Sequence, residues 1–585
     1  MNQNETTNDF FKTNVMGHPA GLFVLFFTEM WERFSYYGMR ALLVLFLTSS
    51  LLDANPGWGW PKENALALYG TYTSLVYLTT IMGGYFADKI LGYRWAVVLG
   101  AVLMTLGHAS MAIETHEMFL YIGIGLLIFG NGFFKPNMTS IVSKMYVNHP
   151  EKKDGAFTIF YMGVNAGAFL GIMLCGYIGE KVSWSWGFGL AGIFMFFGML
   201  QFYFTQNIFG NIGTKPTAAE KLAAANLDDG DKRVPFIAFD LVLMIVSLIL
   251  ALVWILNDPY SKISGNNLLG FKLFGMDGSN ITILTAFILF MILLVGRLIR
   301  YSTVTRDRLI AVTIFAFFVV FFWASFEQAG GSMTIFANDF VNRKLAGDAA
   351  TAFKIINTLL TVIPLGIITF VLYKLFSQTF KKYPVGNIIL GTSFLIIWGV
   401  VIWMLRNEFS KDETEVGASW FGILNSFFII AFAPLISKIW ESKYNPPAAF
   451  KYGLGLILLG LGFGALAYGS AGIPQGAQTA SVSMLWLILA YLFHTLGELF
   501  LSPVGLSYVS KLVPARMIGI MFGIWYLAIA IGNKLAGSMG GQIEKITAEY
   551  SLSFFFLIFT VVPIGAGLLV SILHPVLKKL MHGVR

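Results

Sequence analysis

The chain has 585 residues, of which 56% are hydrophobic and only 12% charged, with a formal net charge of +8 and a mean hydropathy of +0.71. Soluble domains carry about 25% charged residues, so an ordinary soluble protein is excluded. The single cysteine, Cys175, excludes a disulfide framework or a zinc cluster, and the basic excess lies in short loops, which argues against a nucleic-acid partner and for a lipid bilayer.

Apolar stretches of the ~20 residues that cross a bilayer recur along nearly the whole length. About sixteen spans are expected, near 21–50, 66–87, 95–114, 118–143, 156–180, 187–207, 235–256, 280–300, 309–329, 354–376, 387–405, 419–440, 450–469, 483–510, 517–541 and 552–577. The fold class is therefore an all-α polytopic membrane protein. An even count puts both termini on one side. Loops carrying Lys89/Arg94, Lys144/Lys152/Lys153, Lys215/Lys221/Lys232/Arg233, Arg297/Arg300/Arg306/Arg308, Lys381/Lys382, Lys438/Lys443/Lys451, Lys511/Arg516 and Lys578/Lys579/Arg585 belong, with the N-terminus, to one alternating set. That set holds roughly two to three times the Lys and Arg of the other, so both termini are expected to be cytoplasmic. The polar start, Met1 to Gly17, has no small-residue cleavage site after the first span, which speaks against a removable signal peptide.

The first span contains E-M-W-E-R-F-S-Y-Y-G-M-R, residues 29–40. At about 100° per residue, Glu29, Glu32, Arg33, Tyr36, Tyr37 and Arg40 share a sector of roughly 140° on one helix face. A charge at mid-bilayer costs at least about 2.5–3.5 kcal/mol, so four on one helix must pair and face a wet cavity. Glu29 and Arg33, four apart, are placed to pair along the helix. The alternative is an ion pair that only clamps two helices together; the two tyrosines and second arginine on the same stripe favour a functional site.

The second span ends G-G-Y-F-A-D-K-I-L-G-Y-R, residues 83–94. Gly84, Asp88, Lys89, Gly92 and Arg94 resemble the loop signature of the major facilitator superfamily. Gly84 is expected to permit close helix approach, and Asp88 to cap a neighbouring helix N-terminus. Lys135, in G-N-G-F-F-K-P-N of the fourth span, either meets a carboxylate or snorkels to an interface; Pro136 behind it is expected to break the helix. In the fifth span Gly163, Gly167 and Gly171 repeat every four residues as a packing face. Tyr161 and Asn165 form a polar stripe beside them, with Asn165 open between ligand and structure.

The long polar connection 208–234 reads as a cytoplasmic linker between a first half, 1–207, and a second. The second half has four more spans than a six-plus-six design needs. An extra pair is expected at 235–306, and another inside 307–585 at about 354–406; both have few charges, as helices facing lipid would. Glu327, in F-E-Q-A-G-G-S, and Glu498, in G-E-L-F-L-S-P-V-G-L-S, are carboxylates within apolar runs. Each is a candidate proton carrier or a structural group. Tyr77, Trp323, Asn425 and Trp525 either line a cavity or pack. Of His108 and His494, only His494 has a carboxylate one turn on, Glu498, which it could tune. No nucleotide-binding loop or hydrolase motif occurs. Uphill transport would draw on an ion gradient, and buried carboxylates point to protons; no cofactor or metal is called for.

The first-span motif resembles the ExxERFxYYG signature of the proton-dependent oligopeptide transporters, a branch of the major facilitator superfamily. F-F-K-P-N, F-Y-M-G-V-N-A-G-A, F-E-Q-A-G-G-S and G-E-L-F-L-S-P-V-G-L-S are similar to further signatures of that family, in the same order. The resemblance implies a major facilitator fold of two six-helix bundles, with two extra helix pairs here, in the cell membrane. It implies a symporter of protons with di- and tripeptides that works by alternating access, and no enzyme. By the same resemblance Glu29, Glu32, Arg33 and Glu327 would couple protons. Arg33, Lys135 and Asn165 would face the peptide carboxylate, and Asn425 and Glu498 its amino end. Tyr36, Tyr37, Tyr77, Trp323 and Trp525 would shape side-chain pockets, and Arg40 with Glu327 and Lys135 with Glu498 would form gates. The chain departs from the family in lacking a proline after Asn425, in lacking a histidine in the second span, and in its second extra helix pair. Alternatives are a relative carrying nitrate or a drug-like organic anion, a proton-driven exporter, and a membrane-embedded hydrolase.

Overall fold

The computed structural model describes residues 13–215, 217, 234–273, 275–514 and 517–584. The centre of the expected linker at 208–234, with Lys221, Lys232 and Arg233, lies outside the described residues, as do Arg516 and Arg585. A short ribbon of β1 (Asn14–Val15) and β2 (His18–Pro19) leads into α1 (Ala20–Thr48). There follow α2 (Lys62–Phe86), α3 (Tyr93–Met111), α4 (Glu117–Met145), α5 (Pro150–Lys181) and α6 (Trp184–Thr205). Next come α7 (Ala238–Ser264), α8 (Gly278–Leu298), α9 (Thr303–Phe326), the short α10 (Ser332–Asp339), α11 (Gly347–Thr379) and α12 (Pro384–Phe409). The chain then runs through α13 (Ile423–Glu441), α14 (Ala448–Gly469), α15 (Met484–Leu512), α16 (Ile518–Gly540), α17 (Ile543–Glu549), α18 (Leu552–Ile572) and α19 (His574–Leu580).

A helix lies on each expected span, and the all-α polytopic membrane fold is borne out. Among the described residues, 13 helices are long and apolar enough to cross a membrane. The three other expected spans are α1 of 29 residues, α2 of 25 and α16 of 23. Alpha-helix is the form a long lipid-bound segment must take, because it satisfies every backbone N–H and C=O internally. Pro136 does not end α4, which continues to Met145. The Asn137 side chain donates to the Phe133 carbonyl at 2.6 Å, next to the Gly132 carbonyl that a proline at 136 leaves without its helical donor.

By contacts the chain divides into two compact units. Unit 1 comprises residues 1–58, 78–222 and 341–430; unit 2 comprises 59–77, 223–340 and 431–585. In unit 1, α1 packs along α5 and α6, and α3 along α4. The α5 glycine stripe makes the first of these contacts possible. A Cβ on Gly167 would stand 2.1 Å from the Met30 carbonyl oxygen, and one on Gly171 2.2 Å from that of Phe34. At the end of α2 the tight glycine is Gly83, whose Cβ would meet the Gly132 carbonyl at 1.9 Å; Gly84 faces open space and does not serve the close approach expected of it. Asp88 accepts from the Tyr93 hydroxyl at 2.7 Å, a side-chain bond at the first residue of α3. The α11–α12 pair lies in this unit, with Phe394 edge-on to Trp31 and Phe27.

In unit 2, α14 packs on α15 and α18, and α9 on α16. The first part of α2 belongs here. Added Cβ atoms on Gly70 and Gly537 would each fall within 2.7 Å of the other residue's Cα, so α2 and α16 touch backbone to backbone. The α7–α8 pair is largely unburied, with 17% and 22% of its spanning windows covered, against 61% for α5. That suits lipid-facing helices. Yet α7 is not empty of charge: Asp240 is paired with Arg297 and Arg300, and Asp258 is paired with Lys534.

Candidate functional site

The charged face of α1 is buried. Glu32 is 0% exposed, Arg33 3% and Glu29 4%. The Arg33 guanidinium binds Glu32 through two nitrogens, Nε to Oε2 and Nη2 to Oε1, the latter at 2.7 Å. Its Nε also lies 3.4 Å from Glu29 Oε1, the pairing at four-residue spacing. The stronger partner is thus the adjacent Glu32, and the reason comes from α4. Asn131 Nδ2 donates to Glu32 Oε1 at 2.9 Å and fixes that carboxylate beside the arginine. Planar two-point binding of this kind is what a guanidinium does best with a carboxylate. Both of these ion pairs lie within α1.

Glu29 is left differently. Its Oε2 is buried with no hydrogen-bond partner among the described residues. Lys135, one turn beyond Asn131 on α4, adds its positive field to both carboxylates. Farther along α1, Arg33 lies 5.0 Å from the Tyr36 ring centre and Arg40 5.7 Å from that of Tyr37, with the two tyrosine rings edge to face. On α5, Asn165 donates to the Tyr161 carbonyl at 3.0 Å, and Gly167, half a turn on, lies against Arg33 Cβ. Unit 1 therefore gathers Glu29, Glu32, Arg33, Tyr36, Tyr37, Arg40 and Lys135, with Asn165 on the neighbouring helix. Asn425, half-buried near the start of α13, belongs to the same unit.

Unit 2 holds Tyr77, Trp323, Glu327, Glu498 and Trp525. The α9 helix gives way at Glu327 to a tight turn, Glu327–Gly330, that ends in one glycine and is followed by another, Gly331. The turn is held by Gln328, which donates to the Ala324 and Ala536 carbonyls at 3.1 and 2.9 Å. Glu327 is 2% exposed and accepts from the Tyr69 hydroxyl at 3.1 Å. One turn earlier Trp323 lies 6.3 Å from Tyr77, which lies 6.1 Å from Tyr526. Trp525 is buried, edge-on to Tyr452, with Gly505 leaving room for its ring. Glu498 is half-buried on α15, and His494, one turn before it, lays its ring on Phe463 at 4.4 Å.

Sequence reasoning missed Asn131, Tyr69 and Tyr526. Asn131 had a signal, since it stands one helical turn before Lys135 within an apolar run; the two tyrosines had none beyond their residue type. It also missed Lys534 and Asp258. Among the described residues, no group of three or more His, Cys, Asp or Glu side chains converges as a metal site.

The chain as a whole resembles known proteins. A di-/tripeptide transporter of Lactococcus lactis subsp. cremoris is 30% identical over 587 residues, with 100% of each chain covered. The peptide transporter YePEPT of Yersinia enterocolitica is 28% identical, covering 97% of this chain and 96% of its own. Among solved structures, a peptide transporter POT in complex with alafosfalin superposes with a TM-score of 0.69 at 28% identity, covering 97% of both chains. A POT family transporter in complex with 5-aminolevulinic acid does so at 0.70 and 26%, covering 97% of this chain and 98% of its own. These likenesses bear out the major facilitator type of fold. The family model described as POT family matches residues 94–413 and 402–554, and with charged face, fold and relatives in agreement, the chain belongs to the POT family of membrane transporters.

Proposed function

We propose that this transporter imports di- and tripeptides together with protons across the cell membrane, by alternating access of two six-helix halves with both termini cytoplasmic. The observation that carries the proposal is the buried Glu29–Glu32–Arg33 cluster with Asn131 and Lys135. A zwitterionic peptide needs cations at one end and a carboxylate at the other. Arg33 and Lys135, with Asn165, are suited to the carboxylate, and Glu498, with Asn425, to the ammonium. Tyr36, Tyr37, Tyr77, Trp323 and Trp525 supply the apolar and aromatic surface for side chains. The relatives named as peptide transporters support the same cargo.

Coupling follows from competition for Arg33. A peptide carboxylate that takes up the guanidinium leaves Glu29 or Glu32 without its counter-charge, and a bare buried carboxylate is too costly to persist. A proton removes the charge, so peptide and proton enter the site together. Glu29, whose Oε2 has no hydrogen-bond partner among the described residues, is the proton acceptor of the pair. Glu327 is the second protonatable group: neutralising it releases Arg40, as neutralising Glu498 would release Lys135, so protons bias the gates. Inward movement of the loaded halves is then a rocking motion.

Purified protein in liposomes tests this. An acidic exterior and a negative interior are expected to drive labelled dialanine inward, and a panel of competing peptides to inhibit it. Gradient-independent exchange of nitrate or an organic anion, with no dialanine accumulation, would overturn the peptide reading. Outward accumulation would overturn the direction, and peptide cleavage without uptake would overturn transport itself.

A further inference from the structure

Lys534 is 1% exposed on α16, inside a membrane-spanning segment, and none of the roles above uses it. It stands in an alternating chain of charge. Its ammonium binds Asp258 of α7; Asp258 Oδ1 lies 3.1 Å from Lys262 of the same helix; and Lys262 lies 3.1 Å from Glu63 at the start of α2. Lys534 also donates to the Thr71 hydroxyl of α2 at 2.8 Å, and that hydroxyl donates in turn to the Ile255 carbonyl. One residue earlier, Asn533 donates to the Thr73 carbonyl at 3.1 Å. The first part of α2 is therefore tied to α16 and α7 at Glu63, Thr71 and Thr73, on either side of the Gly70–Gly537 contact.

These ties differ in kind. Asp258–Lys534 joins two charges, both on helices of the second half of the chain. Lys534–Thr71 is a single hydrogen bond to a neutral hydroxyl on a helix of the first half. If the halves rock, α2 must leave α16 and α7, and the bond that breaks at Lys534 is the neutral one; the Lys262–Glu63 pair parts too, but Lys262 keeps Asp258 and the Glu63 side chain is already 46% exposed. Lys534 keeps its counter-charge throughout, so no bare charge is left in the membrane when α2 departs, which a buried lysine without Asp258 would not tolerate. We propose that Lys534 is a releasable tie holding α2 against α16 in one of the two access states, and that the α7–α8 pair supplies the fixed counter-charge that makes release affordable. The accessory helices thereby act in gating rather than as lipid-facing packing alone. The proposal rests on the rocking motion given above but not on the cargo.

The test reads the α2–α16 contact directly. In a Cys175→Ala background a single cysteine replaces Thr73, which is fully buried, meets Asn533 through its backbone carbonyl and uses its hydroxyl only within α2, on the Tyr69 and Gly70 carbonyls. Labelling by a membrane-impermeant maleimide is then compared across variants, with folding checked by size-exclusion chromatography. Thr71→Val removes the hydroxyl and leaves the charges intact; Lys534→Met leaves Asp258 paired with Lys262. Both are expected to raise the labelling rate at least about fivefold, the usual scale of a coupling that biases two states, while Lys534→Arg stays within about twofold of the parent. Unchanged labelling in Thr71→Val overturns the tie, as does a rise in Lys534→Arg equal to that in Lys534→Met. Should Lys534→Met fail to fold, Thr71→Val alone decides. Because no peptide is present, failure here is separate from failure of the peptide assignment.

Discussion

Glu29 and Glu32 sit one turn apart on the same helix face, and their bonding differs. Glu32 accepts from two nitrogens of Arg33 and from Asn131, whereas Glu29 touches Arg33 through one oxygen and leaves the other unmatched. Glu32→Ala strips the arginine of its main counter-charge and is expected to cost about 3–5 kcal/mol of stability, the usual consequence of breaking a buried pair. Glu29→Gln is expected to cost no more than about 1 kcal/mol, measured as a thermal shift in detergent. Its effect is on coupling: proton-driven accumulation should be lost while peptide counterflow persists. Uptake driven by the gradient in Glu29→Gln, with exchange abolished, would remove Glu29 from the coupling assignment. Outside the spans, His18 is held below its ordinary pKa by burial and by Lys152, with Nδ1 bonded to the Tyr146 hydroxyl at 2.8 Å. A base with a lowered folded-state pKa costs stability as pH falls below its unfolded value near 6.5, where the unfolded chain binds the proton first. Replacing His18 by Gln should flatten part of the decline in melting temperature between about pH 7 and pH 5.

Among the elements, α5 and α2 show how far spacing alone can be read. The four-residue glycine repeat in α5 announced a packing face, and the backbone of α1 lies on it. In G-G-Y-F-A-D the choice between Gly83 and Gly84 was not readable, because two adjacent helical residues differ by about 100° and only the partner helix settles which one faces inward. The same limit applies to Pro136, which α4 carries without ending, as transmembrane helices packed against neighbours can. A methyl group tests these assignments. Gly83→Ala and Gly167→Ala, which would drive a Cβ to 1.9 and 2.1 Å from carbonyl oxygens, are each expected to destabilise by about 1–3 kcal/mol. Gly84→Ala, facing open space, should stay within about 0.5 kcal/mol of the parent. Equal thermal shifts for Gly83→Ala and Gly84→Ala would show that the register of α2 against α4 is otherwise.

Across the whole molecule, legibility tracks chain distance. The α1 cluster was visible because its ionisable groups lie within twelve consecutive residues of an apolar run, so a local period was enough. Lys534 was invisible because its partner is 276 positions away, on a helix pair whose composition reads as lipid-facing. A single lysine near the end of an apolar run has no local signature to separate it from one that snorkels to the interface. The proposed cycle carries a consequence at this largest scale that no single residue can show. A zwitterionic peptide brings no net charge, so each proton that accompanies it moves one positive charge inward. That charge gains about 2.3 kcal/mol per 100 mV of interior-negative potential. At about 1.4 kcal/mol per tenfold ratio, one proton per peptide at 100 mV supports accumulation of roughly 50-fold without any pH difference. Clamping liposomes at that potential with potassium and valinomycin, at equal pH, is therefore expected to drive dialanine uphill, and reversing the potential to expel it. Exchange without net accumulation under the same clamp would mean that the cycle carries no net charge, and the pairing of peptide with proton at the α1 cluster would have to be abandoned.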